Sequence, residues 1–155
     1  MMSLADLHRA VQTTLASKRL GQAVFVRYLL HGPDRATVAL PRLAQLTAAV
    51  RDWIGQTLER VHALGSPKAG QVSLTLEFGG GATALVCWAA SSAAGYGIDL
   101  TVLGNHGALY HDSGSARTWE SGALPPPEAP DKALLAVLER ALRSAAPVTV
   151  EGGAP

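Results

Sequence analysis

Cysteine is nearly absent: Cys87 stands alone among 155 residues. One thiol cannot close an internal disulfide, and without a CxxC pair there is neither a zinc knuckle nor a redox couple, so a reducing cytoplasm is the expected setting. Charge is scarce too. Charged residues make up 16% of the chain, and 13 basic against 12 acidic side chains leave a formal charge of +1. Lys and Arg are scattered rather than gathered into a basic stripe, which argues against nucleic acid as a partner. No stretch reaches the ~18–20 apolar residues of a membrane span. Asp6, His8 and Arg9 interrupt the first apolar residues, so no secretory h-region forms and no membrane partner is expected.

What the chain has in quantity is apolar side chain, 48% by count. A chain of this length fits one domain, because two cores would leave neither half enough surface to bury. The composition implies more apolar surface than one small core hides. Such an excess is usually covered by a partner, which is a first indication of self-association.

The pattern along the chain divides into elements. Ser3 to Leu20 places Leu4, Leu7, Val11 and Leu15 at helical spacing behind a Ser3–Asp6 capping-box variant, and Gly21 stops that helix. Ala23 to Leu30 reads as a strand ending at the His31-Gly32-Pro33-Asp34 turn. From Pro41 to about Gly55 a stripe of Leu43, Leu46, Ala49, Val50, Trp53 and Ile54 predicts a second helix. Thr57 to Leu64 fits a strand or a continuing helix. In Gln71 to Phe78, Val72, Leu74, Leu76 and Phe78 alternate with Ser73, Thr75 and Glu77, the signature of a strand with one buried face. Gly79-Gly80-Gly81 turns into Ala82 to Ala90, apolar on both faces, as a hairpin. Ile98, Leu100 and Val102 alternate with Asp99 and Thr101. The Gly104-Asn105-His106-Gly107 turn then leads to a short partner strand over Ala108 to His111. A Pro-rich loop occupies 113–130, and a last helix begins at Asp131 and ends before Pro147. The whole is one domain over 1–155: N-terminal helix within 1–20, strand, helix and sheet over 21–112, loop over 113–130, C-terminal helix over 131–145. This order is that of an α+β fold, an antiparallel open sheet layered with helices, and no βαβαβ series appears.

Three segments, in this order and at this spacing, resemble the C-terminal domain of the glucose-fructose oxidoreductase, inositol dehydrogenase and MocA family. They are Leu20-Gly21-Gln22-Ala23-Val24-Phe25-Val26-Arg27-Tyr28, then Val72 to Phe78 with Gly80-Gly81-Ala82, then Gly95-Tyr96-Gly97-Ile98 through Tyr110. The resemblance implies a predominantly antiparallel open sheet with helices packed on one face, like the dihydrodipicolinate-reductase-like domain of those enzymes. It also implies a missing part. Family enzymes carry an N-terminal Rossmann domain with a GxGxxG turn between strand and helix, which takes roughly 120 or more residues. About twenty residues precede the first strand here. Both glycine clusters, Gly79 to Gly81 and Gly104 to Gly107, fall between predicted strands, where no helix N-terminus meets a phosphate. No cofactor is therefore expected to bind.

The family also carries an Asp-x-x-x-His-x-x-Asp pattern on the helix that ends in a hydrophobic-Gly pair, its histidine commonly moving the proton. Anchored at Ile54-Gly55, those positions hold Pro41, Gln45 and Ala48, and no His or Asp lies between Ala36 and Arg51. None of the three ionises in the working range, so no catalytic residue is assigned. Asp52 falls at the wrong end of the helix.

Other constellations have plainer readings. His106, His111 and Asp112 lack a third ligand at a characteristic spacing, and a turn histidine plus a strand-end histidine is the expectation, with no metal. Cys87, between Leu85, Val86, Trp88 and Ala89, is expected to be a buried small hydrophobe. Trp53 and Trp88 fit core or interface anchors, and Trp119 in its polar loop has no assigned role. Polar residues from His31 to Arg35 are ligand candidates by location alone.

The second face of the sheet is more informative. If Val72 to Phe78 face helices, then Ser73, Thr75 and Glu77 lie opposite, beside Asp99 and Thr101 and near Phe25, Arg27 and Leu29. In the family the corresponding face commonly packs against a second subunit. Apolar Phe25 and Leu29, with Arg27 able to pair with Glu77 or Asp99, suit a homodimer; the alternative is a solvated face. The expected function is a stand-alone, non-catalytic homologue of the oxidoreductase domain that self-associates through this face and can take a ligand or partner. Two competing readings are the substrate-domain half of a split oxidoreductase with a separate Rossmann subunit, and a fragment of a longer reading frame.

Overall fold

A computed structural model describes residues 3–92, 95–113, 124 and 126–151. The first helix, α1 (Leu4–Ala16), starts where the sequence places it but ends at the Ser17 cap, ahead of the expected stop at Gly21. The Ser3 hydroxyl accepts from the Asp6 amide while the Asp6 carboxylate accepts from the Ser3 amide, satisfying donors that a helix start leaves open. Its buried stripe is Leu4, Leu7 and Val11.

After α1 the described elements are β1 (Ala23–Gly32), α2 (Ala36–Ile54), β2 (Leu58–Ser66), β3 (Gln71–Phe78), β4 (Thr83–Ala90), β5 (Gly97–Gly104), β6 (Ala108–Asp112), α3 (Lys132–Ser144) and β7 (Val148–Thr149). The strands form one seven-stranded sheet in the order β6-β5-β1-β4-β3-β2-β7. Neighbours run antiparallel except β1 and β4, which are parallel. The fold is α+β with a predominantly antiparallel sheet.

Four points differ from the sequence expectation or complete it. Helix α2 begins at Ala36, not Pro41, so Pro41 lies inside the helix. Its missing N–H would have met the Thr37 carbonyl, one turn back and close enough to the helix start that the break is tolerated. The ambiguous stretch after Gly55 is strand β2, because its edge pairs with β3 over Leu58 to Ser66. The tail after α3 adds a two-residue strand, β7, to the edge of β2. Finally, β1 pairs with β4 in parallel, a long-range choice that local alternation cannot reveal. The loop residue Trp119 lies outside the described residues.

Alternation sets the core. Val26, Tyr28 and Leu30 of β1, Val72, Leu74, Leu76 and Phe78 of β3, Ala84, Val86 and Trp88 of β4 and Ile98, Leu100 and Val102 of β5 are buried. They share one apolar cluster with Leu43, Leu46 and Val50 of α2 and Leu134, Leu138 and Ala141 of α3. Helix α2 packs against β1 and β4, α3 against β2, and α1 against α2. Between these strand positions lie the half-buried and exposed ones, on the opposite face of the sheet.

The Gly104 to Gly107 turn serves the framework. The Asn105 amide donates to the Gln22 carbonyl, the His106 amide donates to the Leu20 carbonyl, and the Asn105 side-chain oxygen accepts from the Gln22 amide at 3.0 Å. The turn thereby clasps the chain that leads from α1 into β1. A Cβ on Gly104 would overlap the Leu20 carbonyl oxygen, so the glycine permits this backbone crossing.

Candidate functional site

The eight residues singled out as an interface share the open sheet face, and the ladder fixes their arrangement. Phe25 is registered with Leu103 and Thr83, Arg27 with Thr101 and Leu85, and Leu29 with Asp99 and Cys87. Beyond β4, Glu77 is registered with Thr83, Thr75 with Leu85 and Ser73 with Cys87. Three rows thus cross the sheet from β5 to β3: Leu103, Phe25, Thr83 and Glu77; Thr101, Arg27, Leu85 and Thr75; and Asp99, Leu29, Cys87 and Ser73.

Of the two partners considered for Arg27, the structure selects Asp99. The Arg27 guanidinium donates to the Asp99 carboxylate at 2.9 Å, with both side chains about 40% exposed. Glu77 is two strands away from β1 and pairs with Arg60 of β2, which donates through both Nε and Nη2. A half-exposed pair of this kind contributes about 0.2–1 kcal/mol, so these ion pairs orient the face more than they stabilise the fold.

Four further side chains on this face escaped the sequence reading. Leu85 and Leu103 are half-buried between the singled-out residues, and Tyr110, registered with Thr101 on the edge strand β6, is 72% exposed. The fourth is Cys87, which corrects the expectation of a buried hydrophobe: it is half-exposed, and its thiol lies 3.3 Å from the Ser73 hydroxyl. The cause is parity. Ala84, Val86 and Trp88 take the core face, so Leu85, Cys87 and Ala89 must take the other.

The positions compared with the catalytic motif sit on α2, and none presents an acid or base. Ala48 is exposed, Pro41 is half-buried, and the Gln45 carbonyl oxygen accepts from Arg42 Nη1 at 2.9 Å. Arg42 itself is 1% exposed, and its Nε donates to Asp34 at 3.3 Å. Around Asp34 the structure gathers Tyr96, whose hydroxyl donates at 2.6 Å, and Trp88, whose indole N–H donates at 3.3 Å. Burial, then the hydrogen bond to the Asp34 carboxylate, pushes the Tyr96 phenol up to about 12, so it remains a donor. Of the His31 to Arg35 candidates, then, Asp34 is enclosed in a hydrogen-bonded network that uses both of its oxygens. The available signal in the sequence was Arg42, a charge in the same stripe as Leu43 and Leu46.

A second buried polar contact joins α1 to the sheet. His8 Nε2 lies 2.9 Å from the Tyr28 hydroxyl, and the His8 ring meets Tyr28 and Trp53 edge-on, while Tyr28 and Trp53 stack at 5.8 Å. Burial lowers the His8 pKa and pushes the Tyr28 phenol well up, so both are neutral near pH 7.

The histidines considered as metal ligands are not brought together with a third. His106 is exposed in its turn, whereas His111 and Asp112, being consecutive on β6, point to opposite faces. Among the described residues no group of three or more His, Cys, Asp or Glu could hold a metal ion. Trp53 and Trp88 are core residues, 5% and 1% exposed. No helix among the described residues is long and apolar enough to cross a membrane.

No protein-family model matches the chain, and no curated protein sequence does. Solved structures do match. A putative myo-inositol dehydrogenase from Sinorhizobium meliloti 1021 superimposes with a TM-score of 0.66 at 16% identity, over 92% of this chain and 61% of that one. The myo-inositol dehydrogenase of Lactobacillus casei in complex with NAD(H) and myo-inositol gives 0.65 at 15% identity, over 96% of this chain and 60% of the other. A probable dehydrogenase from Thermotoga maritima gives 0.55 at 19% identity, over 68% of this chain and 38% of that one. The likeness is one of fold. This chain spans about 60% of the length of the two inositol dehydrogenases, the share that a C-terminal domain would take.

Proposed function

We propose that this chain is a stand-alone, non-catalytic homologue of the oxidoreductase C-terminal domain, cytoplasmic, and that it works by self-association through its open sheet face. The observation that carries the reading is the composition of that face. Phe25, Leu29, Leu85 and Leu103 lie in adjacent rows around the Arg27–Asp99 pair, with polar Ser73, Thr75 and Glu77 beyond. Apolar side chains set around an ion pair and bounded by polar ones suit a protein interface, and a twofold axis through such a face lets each copy cover the other. Among the described residues α2 packs against β1 and β4 and α3 against β2, which supports treating the other face as the one available to a partner.

The non-catalytic part rests on α2. Proton transfer needs an ionisable group at the helix position that faces the chemistry, and Pro41, Gln45 and Ala48 supply none. Arg42, next to Pro41 in the chain, is tied to Asp34 and Gln45. A second reading is favoured by the coverage of about 60%: the chain as substrate domain of a split NAD(P)-dependent oxidoreductase, with nucleotide binding on a separate Rossmann subunit. Native mass spectrometry of the protein purified from its own host distinguishes the two. The leading reading expects an even-numbered homo-oligomer with no nucleotide; a mass that includes a second, NAD-carrying chain selects the other, and a monomer removes self-association.

A further inference from the structure

Helix α1 is joined to the rest of the fold by few contacts and one short connection. It buries three residues, Leu4, Leu7 and Val11, where α2 buries nine. Among the described residues its side chains make one hydrogen bond outside the helix, between His8 Nε2 and the Tyr28 hydroxyl at 2.9 Å. A cleft of about 520 Å3 opens between α1 and α2, so Ala5, Gln12, Ala49 and Asp52 line open space instead of packing together. The two helices therefore meet along one stripe only.

The connection behind α1 is anchored at one end and strained in the middle. From Leu20 onward the chain is held by the β5–β6 turn, since the Leu20 and Gln22 carbonyls accept from the His106 and Asn105 amides. Between that anchor and the end of α1 lie Ser17, Lys18 and Arg19, all exposed. Lys18 folds the connection back with a φ of 59°, a left-handed conformation that a residue bearing a Cβ adopts at a cost. Its amide donates to the Leu15 carbonyl, and its carbonyl accepts from the Gly21 amide. An extended Lys18 gives up these two bonds, releases the strain and swings α1 off its own α2.

We infer that α1 is exchanged between two copies of this chain, each helix seating on the α2 and β1 of the other copy. Every contact that α1 makes within its own chain re-forms in the exchanged pair: Leu4, Leu7 and Val11 are buried again, and the His8 ring meets Tyr28 and Trp53 of the other copy. The balance between the closed and exchanged forms then lies in the hinge and in concentration, and a short hinge under strain favours exchange. The cleft becomes composite, with one wall from each copy. Exchange uses no residue of the open sheet face and is independent of association there.

The test is made in the Leu29→Glu chain, which removes association through the sheet face, so that a remaining dimer reports exchange. Sedimentation equilibrium up to about 500 µM is expected to show a dimer fraction that rises with concentration. Lys18→Gly relaxes the closed hinge and should weaken this dimer about fivefold. Lys18→Pro, whose ring holds φ at about −65°, cannot keep the closed hinge and should tighten the dimer by about tenfold or more. A mixture of 13C,15N-labelled and unlabelled chains should give isotope-filtered contacts between the His8 ring of one copy and the Trp53 ring of the other, rings whose centroids lie 5.4 Å apart. The inference is overturned by a folded Leu29→Glu chain that stays monomeric up to about 500 µM. Lys18→Gly and Lys18→Pro shifting the dimer alike, or a dimer whose His8–Trp53 contacts all lie within one chain, would overturn it equally. Should Lys18→Pro fail to fold, the labelled mixture of Leu29→Glu chains and the Lys18→Gly comparison decide instead.

Discussion

Arg42 is the residue on which local pattern and tertiary structure disagree most. A guanidinium beside Leu43 on a buried helix stripe is costly unless paired, and the structure pairs it with Asp34 and Gln45. Breaking such a pair by removing one partner costs about 3–5 kcal/mol, because the other charge stays buried. Arg42→Met is therefore expected to lower the urea midpoint strongly, and Asp34→Asn likewise, while the double variant loses less than the sum. Additive losses would show that the two side chains do not act together. His8 supplies the pH dependence. Its folded pKa lies below its unfolded value of about 6.5, so the unfolded chain takes up the proton first and stability falls with it. This contribution is complete above about pH 6.5 and declines as the pH drops through the window below. His8→Phe keeps a ring against Trp53 and should flatten the stability profile in that window; an unchanged slope between about pH 7 and 5.5 would contradict the assignment. Neither pair was legible in the sequence. Nothing local shows that Arg42, Trp88 and Tyr96 converge on the Asp34 carboxylate.

At the scale of elements the sequence was more informative, because burial of one face imposes a period. The alternations in β3 and β5 appear in the structure residue for residue, and the stripe of α1 does so at Leu4, Leu7 and Val11, with Leu15 half-buried. What escaped depends on partners distant in sequence: the parallel pairing of β1 with β4, the added strand β7, and the first turn of α2 ahead of Pro41. Proline marked the helix start in the sequence reading, yet one interior turn without its hydrogen bond is offset by the burial of Ala39, Leu43 and Leu46. The β5–β6 turn gives a sharp test of why its glycines are there. Gly104→Ala would push a methyl group into the Leu20 carbonyl and should cost about 1–3 kcal/mol. At Gly107 a methyl group meets only ordinary contacts, and alanine there should change stability by no more than about 0.5 kcal/mol. Thermal melts of the two variants compare them directly, and equal losses would mean that the crossing at Leu20 is not the constraint.

For the whole molecule, parity across the sheet links fold to function. The same two-residue period that buries Val26, Tyr28 and Leu30 presents Phe25, Arg27 and Leu29 on the other side, which is why the eight singled-out residues fall together. Leu85 was harder to see, since a strand apolar on both sides, as β4 is, does not say which side meets helices. The proposal that this face self-associates is the one to test. Sedimentation velocity on the purified chain at micromolar concentration, alongside Leu29→Glu, addresses that directly. A dimer that Leu29→Glu converts to a folded monomer is the predicted result. A monomeric parent chain, or a dimer indifferent to Leu29→Glu, would contradict it.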